Sequence, residues 1–130
     1  MKIHHIGILC DVKQIAHLNS LLECVGYQIQ EMMIVEKFDC GCLLYYKEDE
    51  TKIELVYPLR DSKLYERLKQ VGSGTHHIAF EVSDIRITTD FLSGRGHKFL
   101  LKEPIPGVDS TVVNFILPDS GALFEIVQKV

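Results

Sequence analysis

Residues 4–9 read His4-His5-Ile6-Gly7-Ile8-Leu9, and residues 76–81 read His76-His77-Ile78-Ala79-Phe80-Glu81. Each stretch opens on a His doublet and continues as an apolar, strand-like run. Each is followed by an aspartate, Asp11 or Asp84, placed to cap a helix. The two doublets lie 72 residues apart, and such recurrence marks a duplicated unit.

The rest of the chain fills in both copies. Ile15, Leu18, Leu22 and Val25 recur at helical spacing, so a first helix is predicted over about 12–25, with Gly26 as its stop. The matching helix is predicted over about 85–93, ending at Gly94 or Gly96. Strands are predicted over about 27–35, 41–47 and 52–57 in the first copy, and about 97–101, 111–117 and 122–128 in the second. A linking helix over about 62–71 carries Leu64, Leu68 and Val71 on one face and stops at Gly72. The expected fold is therefore α+β, with two βαβββ modules packed edge to edge around a pseudo-twofold axis and a cleft between them. Module one takes about 1–60 and module two about 74–130, within one domain spanning 1–130.

Strand alternation separates the two histidines of each doublet. His4, Ile6 and Ile8 share one face, expected to lie under the helix, as do His76, Ile78 and Phe80. His5, Gly7 and Leu9 share the other face, as do His77, Ala79 and Glu81. The second His of each doublet thus sits beside a small residue that leaves room. The last strand of each copy adds a carboxylate inside an apolar run, in Ile53-Glu54-Leu55-Val56 and Phe124-Glu125-Ile126-Val127. A buried carboxylate is costly unless it is paired or bound to a metal. One such Glu has an ordinary reading on an edge strand, and one His on a strand is more often structural than a ligand. Two of each at equivalent positions point to a shared centre. His5, Glu54, His77 and Glu125 are accordingly the expected ligands of one divalent ion, whereas His17 and His97 are not. Two imidazoles and two carboxylates suit Zn, Co, Ni, Mn or Fe(II) better than Mg or Ca. Such a centre suits a small-molecule substrate chelating through two neighbouring oxygens.

Composition excludes other classes. Net charge is −4, so nothing favours a nucleic-acid backbone. No apolar run approaches the roughly 20 residues of a membrane span. The first residues contain no signal-peptide core, which makes the cytoplasm the expected compartment. Cys40-Gly41-Cys42 lacks the spacing of common zinc or redox motifs and is read as structural or incidental.

The ordered set of His5-Ile6-Gly7-Ile8, Thr51-Lys52-Ile53-Glu54-Leu55, Gly74 through Val82, Glu103-Pro104 with Gly107, and Pro118 through Gln128 resembles the glyoxalase/bleomycin resistance/dioxygenase superfamily, also called vicinal oxygen chelate. Within it, the likeness is closest to the methylmalonyl-CoA epimerases. The resemblance implies a U-shaped cleft with metal positions at His5, Glu54 (Gln in some members), His77 and Glu125. It implies an isomerase or epimerase moving a proton next to a carbonyl. In that chemistry Glu125 matches one of two proton-exchanging carboxylates, and Glu36 is the nearest candidate for the other, with Glu54 close by. It also implies a homodimer, in keeping with the exposed sheet edges of a two-module architecture. A glyoxalase I-like lactoylglutathione lyase uses the same ligand set, and a non-catalytic binding or resistance protein uses the same fold.

Overall fold

The computed structural model describes residues 2–119 and 123–130. Module one contains β1 (Lys2–Leu9), α1 (Ile15–Cys24), β2 (Gln28–Val35), β3 (Cys40–Tyr46) and β4 (Lys52–Pro58). The linking helix α2 (Lys63–Val71) leads to module two: β5 (Gly74–Glu81), α3 (Ile85–Ser93), β6 (Ile105–Gly107), β7 (Thr111–Ile116) and β8 (Leu123–Lys129). All eight strands form one sheet, in the order β2-β3-β4-β1-β5-β8-β7-β6. Read inward from either end the order is the same in each module, and the modules meet where β1 pairs antiparallel with β5.

The helix ends follow their capping residues. Asp84 Oδ1 accepts from the Arg86 and Ile87 amides, both at 3.0 Å, at the start of α3. Asp11 and Gln14 form a reciprocal capping box over a short 3-10 turn, Val12–Gln14, that precedes α1. Ser62 Oγ caps α2 by accepting from the Tyr65 amide. On one face of module one, Ile15, Leu18 and Leu22 of α1 pack on Ile8, Leu43, Tyr45 and Leu55. In module two, Val82, Ile85 and Ile126 form the equivalent cluster with Phe99 and Val112. Val25, expected in the apolar stripe of the first helix, is instead 51% exposed at its C-terminal end.

The strand expected over 97–101 does not form. Phe99 makes one isolated bridge to Ile116, and the edge strand of module two falls later, at Ile105–Gly107. The reason lies in Asn114. Its side chain accepts from the Leu101 amide at 3.1 Å and donates to the Leu101 carbonyl at 2.9 Å, replacing ladder bonds. Pro104 and Pro106 supply no N–H and suit only an edge.

Candidate metal centre

Register across the module junction places the four expected ligands in two rows. His5 of β1 lies opposite Ala79 of β5, and Ala79 lies opposite Glu125 of β8. Glu54 of β4 lies opposite Gly7 of β1, and Gly7 lies opposite His77 of β5. Each small residue therefore makes room for the imidazole of the other module, not for its own neighbour's. A Cβ on Gly7 would overlap the His77 ring.

The four residues are all at least 95% buried. His5 Nε2 lies 3.0 Å from His77 Nε2 and 3.1 Å from Glu125 Oε1. Glu54 Oε1 lies 3.4 Å from His77 Nε2 and 3.8 Å from His5 Nε2. Donors held about 2.1 Å from a common ion stand about 3.0 Å apart at right angles and about 3.4 Å apart in a tetrahedron. The His5–His77, His5–Glu125 and Glu54–His77 spacings fall in that range, and the Glu54–His5 distance of 3.8 Å lies above it. One atom of each of His5, His77 and Glu125 lies within 4.8 Å of the others, with Glu54 adjoining through His77.

The hydrogen-bond pattern explains why a cation fits. His4 Nε2 lies 2.8 Å from Asp109 Oδ2, and a carboxylate oxygen only accepts, so His4 Nε2 carries the hydrogen. Lys52 and Lys129 also bond Asp109 Oδ2 and balance its charge, so His4 meets it as a neutral ring. The bare Nδ1 of that ring lies 2.7 Å from His5 Nδ1. His5 therefore donates from Nδ1 and turns a bare Nε2 lone pair inward. His76 and His77 repeat this ring-to-ring contact at 2.8 Å. Glu125 Oε1, aimed at the same point, is buried and has no hydrogen-bond partner. Two imidazole nitrogens and two carboxylates converging on one buried point suit a borderline divalent cation.

The carboxylates respond unequally in the metal-free protein. Burial, augmented by the charge of Glu54, pushes Glu125 up to about 8 against the pull of His77. Burial also acts on Glu54, but its His77 contact and the charges of His5 and His77 hold it below the ordinary carboxylate range.

The first His of each doublet departs from expectation. His4 does not pack in an apolar layer under α1. A bulge in the β1–β5 pairing between Ile3 and His5 accompanies its contact with the His5 ring and with Asp109. His76 lines the cleft rather than the far face. Both relay positions were hidden because ideal alternation sends them away from the site.

The cleft has a volume of about 570 Å³. Apolar side chains including Val35, Phe38, Leu64, Val108 and Phe115 form much of its wall, and Lys37 and Lys63 supply basic groups. Cys40 and Cys42 are free thiols on this wall, in a cluster with Leu44, Val56 and Val108. Glu36 is exposed and is not among the cleft-lining residues. The acidic group of the same turn that lines the cleft is Asp39, which lies at a left-handed φ of 48° and pairs with Arg60 at 3.3 Å. The sequence signal for Asp39 was its position directly before Cys40-Gly41 at the start of a strand. His17 and His97 are both exposed and lie outside the cluster.

The fold and the His/Glu cleft define a vicinal oxygen chelate architecture. The chain belongs to the Glyoxalase/Bleomycin resistance protein/Dioxygenase superfamily, whose model matches residues 4–115. Among solved structures it is similar to methylmalonyl-CoA epimerase from Mycobacterium tuberculosis, with a TM-score of 0.90 and 22% identity over 99% of this chain and 88% of that one. It is similar to Streptomyces coelicolor methylmalonyl-CoA epimerase in complex with 2-nitronate-propionyl-CoA, with a TM-score of 0.90 and 25% identity over 100% and 98%. A methylmalonyl-CoA epimerase in complex with methylmalonyl-CoA and NH4+ gives 0.89 and 26% over 99% and 94%. No curated protein sequence matches the chain. Among the described residues, no helix is long and apolar enough to cross a membrane.

Proposed function

We propose that this chain is a metal-dependent epimerase that inverts a carbon next to a thioester carbonyl, as the methylmalonyl-CoA epimerases do by name. The observation that carries this reading is the buried convergence of His5, Glu54, His77 and Glu125 on one point of an apolar-walled cleft. A divalent cation held there would stabilise negative charge developing on a substrate carbonyl oxygen.

The chain's own groups do the rest. Glu125 Oε1 has no competing hydrogen bond and serves as one proton acceptor. Asp39, from the other module and on the same cleft, replaces Glu36 as the second acid-base group. One group, as carboxylate, would take the proton from one face, and the other, as carboxylic acid, would deliver its own proton to the opposite face, which inverts the carbon between them. Phe38 and Phe115 meet edge to face at 5.8 Å, and Phe115 meets His77 at the same distance, which limits water at the reacting carbon. Lys37 and Lys63 complement the anionic tail of a coenzyme A ester. The similarity to epimerases holding such esters favours this substrate class over a glutathione adduct.

The test is deuterium wash-in to methylmalonyl-CoA, followed by NMR with metal-loaded and chelator-treated protein. Metal-dependent exchange at the α-carbon is the expected result. Lactoylglutathione formation from methylglyoxal and glutathione, without that exchange, would replace the epimerase by a lyase. Tight ligand binding with no turnover of either would make the chain a binding protein. A homodimer forms part of the same reading. Ile29, Met32 and Ile34 on edge strand β2 are 54%, 64% and 46% exposed, and light scattering at micromolar concentration should give twice the chain mass.

A further inference from the structure

Asp109 has no role in the chemistry above, yet it is among the most heavily bonded side chains of the molecule. It sits in the turn between β6 and β7, at φ 62°, followed by Ser110 at φ 52°. Its Oδ2 accepts from Lys52 Nζ at 2.7 Å, His4 Nε2 at 2.8 Å and Lys129 Nζ at 2.9 Å. Its Oδ1 accepts from Gln30 Nε2 at 2.7 Å, and its amide donates to Glu31 Oε1 at 2.8 Å. β2 and β6 are the two ends of the sheet. A turn of module two is therefore fastened to β1, β2 and β4 of module one. The two lysines balance its charge, so His4 meets a carboxylate without having to be a cation itself.

We propose that Asp109 and His4 are positioning residues for the metal centre, fixing His5 in the tautomer whose Nε2 lone pair faces the ion and tying that ligand to the closure of the sheet ends. This rests on reading His5 as a metal ligand. The path is continuous: Asp109 Oδ2 to His4 Nε2 at 2.8 Å, His4 Nδ1 to His5 Nδ1 at 2.7 Å, and His5 Nε2 into the donor cluster. The carboxylate sets the direction of every hydrogen along it. A carboxylate behind an imidazole raises its donor strength and restricts its rotation. Module two has no equal: among the described residues, His76 has no carboxylate bonded to it. His5 is therefore the oriented ligand, and His77 is held by its neighbouring ring and by its seat against Gly7.

Calorimetric titration of the metal-free full chain with Co(II) and with Zn(II) tests this. His4→Phe should weaken binding about 10- to 100-fold, in line with lost outer-shell partners of metal-bound histidines. Asp109→Asn should act in the same direction. Gln30→Ala removes a clasp bond to the other carboxylate oxygen but spares the relay, and it should stay within about twofold of wild type. Failure of the wild type to bind either ion would overturn the metal centre and the relay together. Wild-type binding with unchanged affinity in His4→Phe would overturn the relay alone. Equal losses in His4→Phe and Gln30→Ala would mean that only the clasp matters, and would also overturn it. Should His4→Phe not fold, long-range ¹⁵N–¹H spectra of the wild type decide. Hydrogen on Nε2 of His4 and Nδ1 of His5 is expected, and hydrogen on Nδ1 of His4 would refute the relay.

Discussion

Gly7 of β1 stands directly opposite His77 of β5, and the imidazole occupies the space where a side chain on Gly7 would begin. The ligand of one module is thus seated on the backbone of the other. Gly7→Ala should push His77 out of line, weaken divalent-ion binding at least about tenfold, and destabilise the fold by about 1–3 kcal/mol through overpacking. Calorimetric titration and denaturant unfolding measure the two effects separately. Ala79→Gly, opposite His5, should leave ion affinity nearly unchanged.

Glu125→Gln should separate stability from function. In the metal-free protein the Glu125 pKa is raised by burial and by Glu54 to about 8. Between the ordinary carboxylate value and about 8 the folded state holds a proton that the unfolded state has lost, so folding stability falls as pH rises through this window. Chelator-treated wild type should therefore lose melting temperature from pH 5 to pH 8. The Gln variant should lose less over that span, yet bind metal poorly and exchange no substrate proton. A steeper loss in the variant would contradict the assignment of the proton to Glu125.

Asp109→Asn should show the opposite dependence. Burial raises the Asp109 pKa, but bonds from Lys52, Lys129, His4 and Gln30 outweigh it and hold the carboxyl well below the usual range. A depressed folded pKa gives stability that is complete above the unfolded value and is lost as pH falls through the folded one. The variant should be less stable by about 1.5–3 kcal/mol near neutrality, as for hydrogen bonds to a charged group. The gap from wild type should narrow below pH 4. Urea unfolding at pH 7 and pH 3 provides the comparison.

Asp39→Asn should cut epimerisation by about 10²-fold or more, in line with loss of a positioned acid-base group, while ion affinity stays the same. Glu36→Gln should be silent in both assays. Stereospecific starting material adds a finer readout. With Asp39 removed, Glu125 should still wash deuterium into one epimer faster than into the other.

The duplicated pattern was readable in sequence because each module repeats its His and its Glu in strands of regular alternation. His5, Glu54, His77 and Glu125 could be picked out because a charge inside an apolar strand has few reasons to be there. The edge strand of module two was misplaced, since the preference of residues 97–101 for extended backbone gave way to the side-chain bonds of Asn114 with Leu101. His4 and His76 were assigned to the wrong surroundings, because a bulge and a ring-to-ring contact do not follow ideal alternation. Of the two acids in this turn, Glu36 was the one named from sequence, whereas the one on the cleft wall is Asp39. The turn from Glu36 to Phe38 exposes the first acid and reverses the chain at a left-handed residue, and a local reading of side-chain type does not see that reversal.

The order of the strands has a consequence for handedness. Each module contributes one imidazole and one carboxylate through the same two strands, so half a turn about the junction of β1 and β5 nearly maps the donor set onto itself. Such a set distinguishes poorly between the two ways a flat, two-oxygen chelator can lie across it. The linings are unlike: module one contributes Lys37, Phe38 and Asp39, and module two Leu100, Pro106 and Val108. In an epimerase of the kind proposed, which face of the substrate meets which carboxylate would be decided by the parts of the cleft that the two copies do not share.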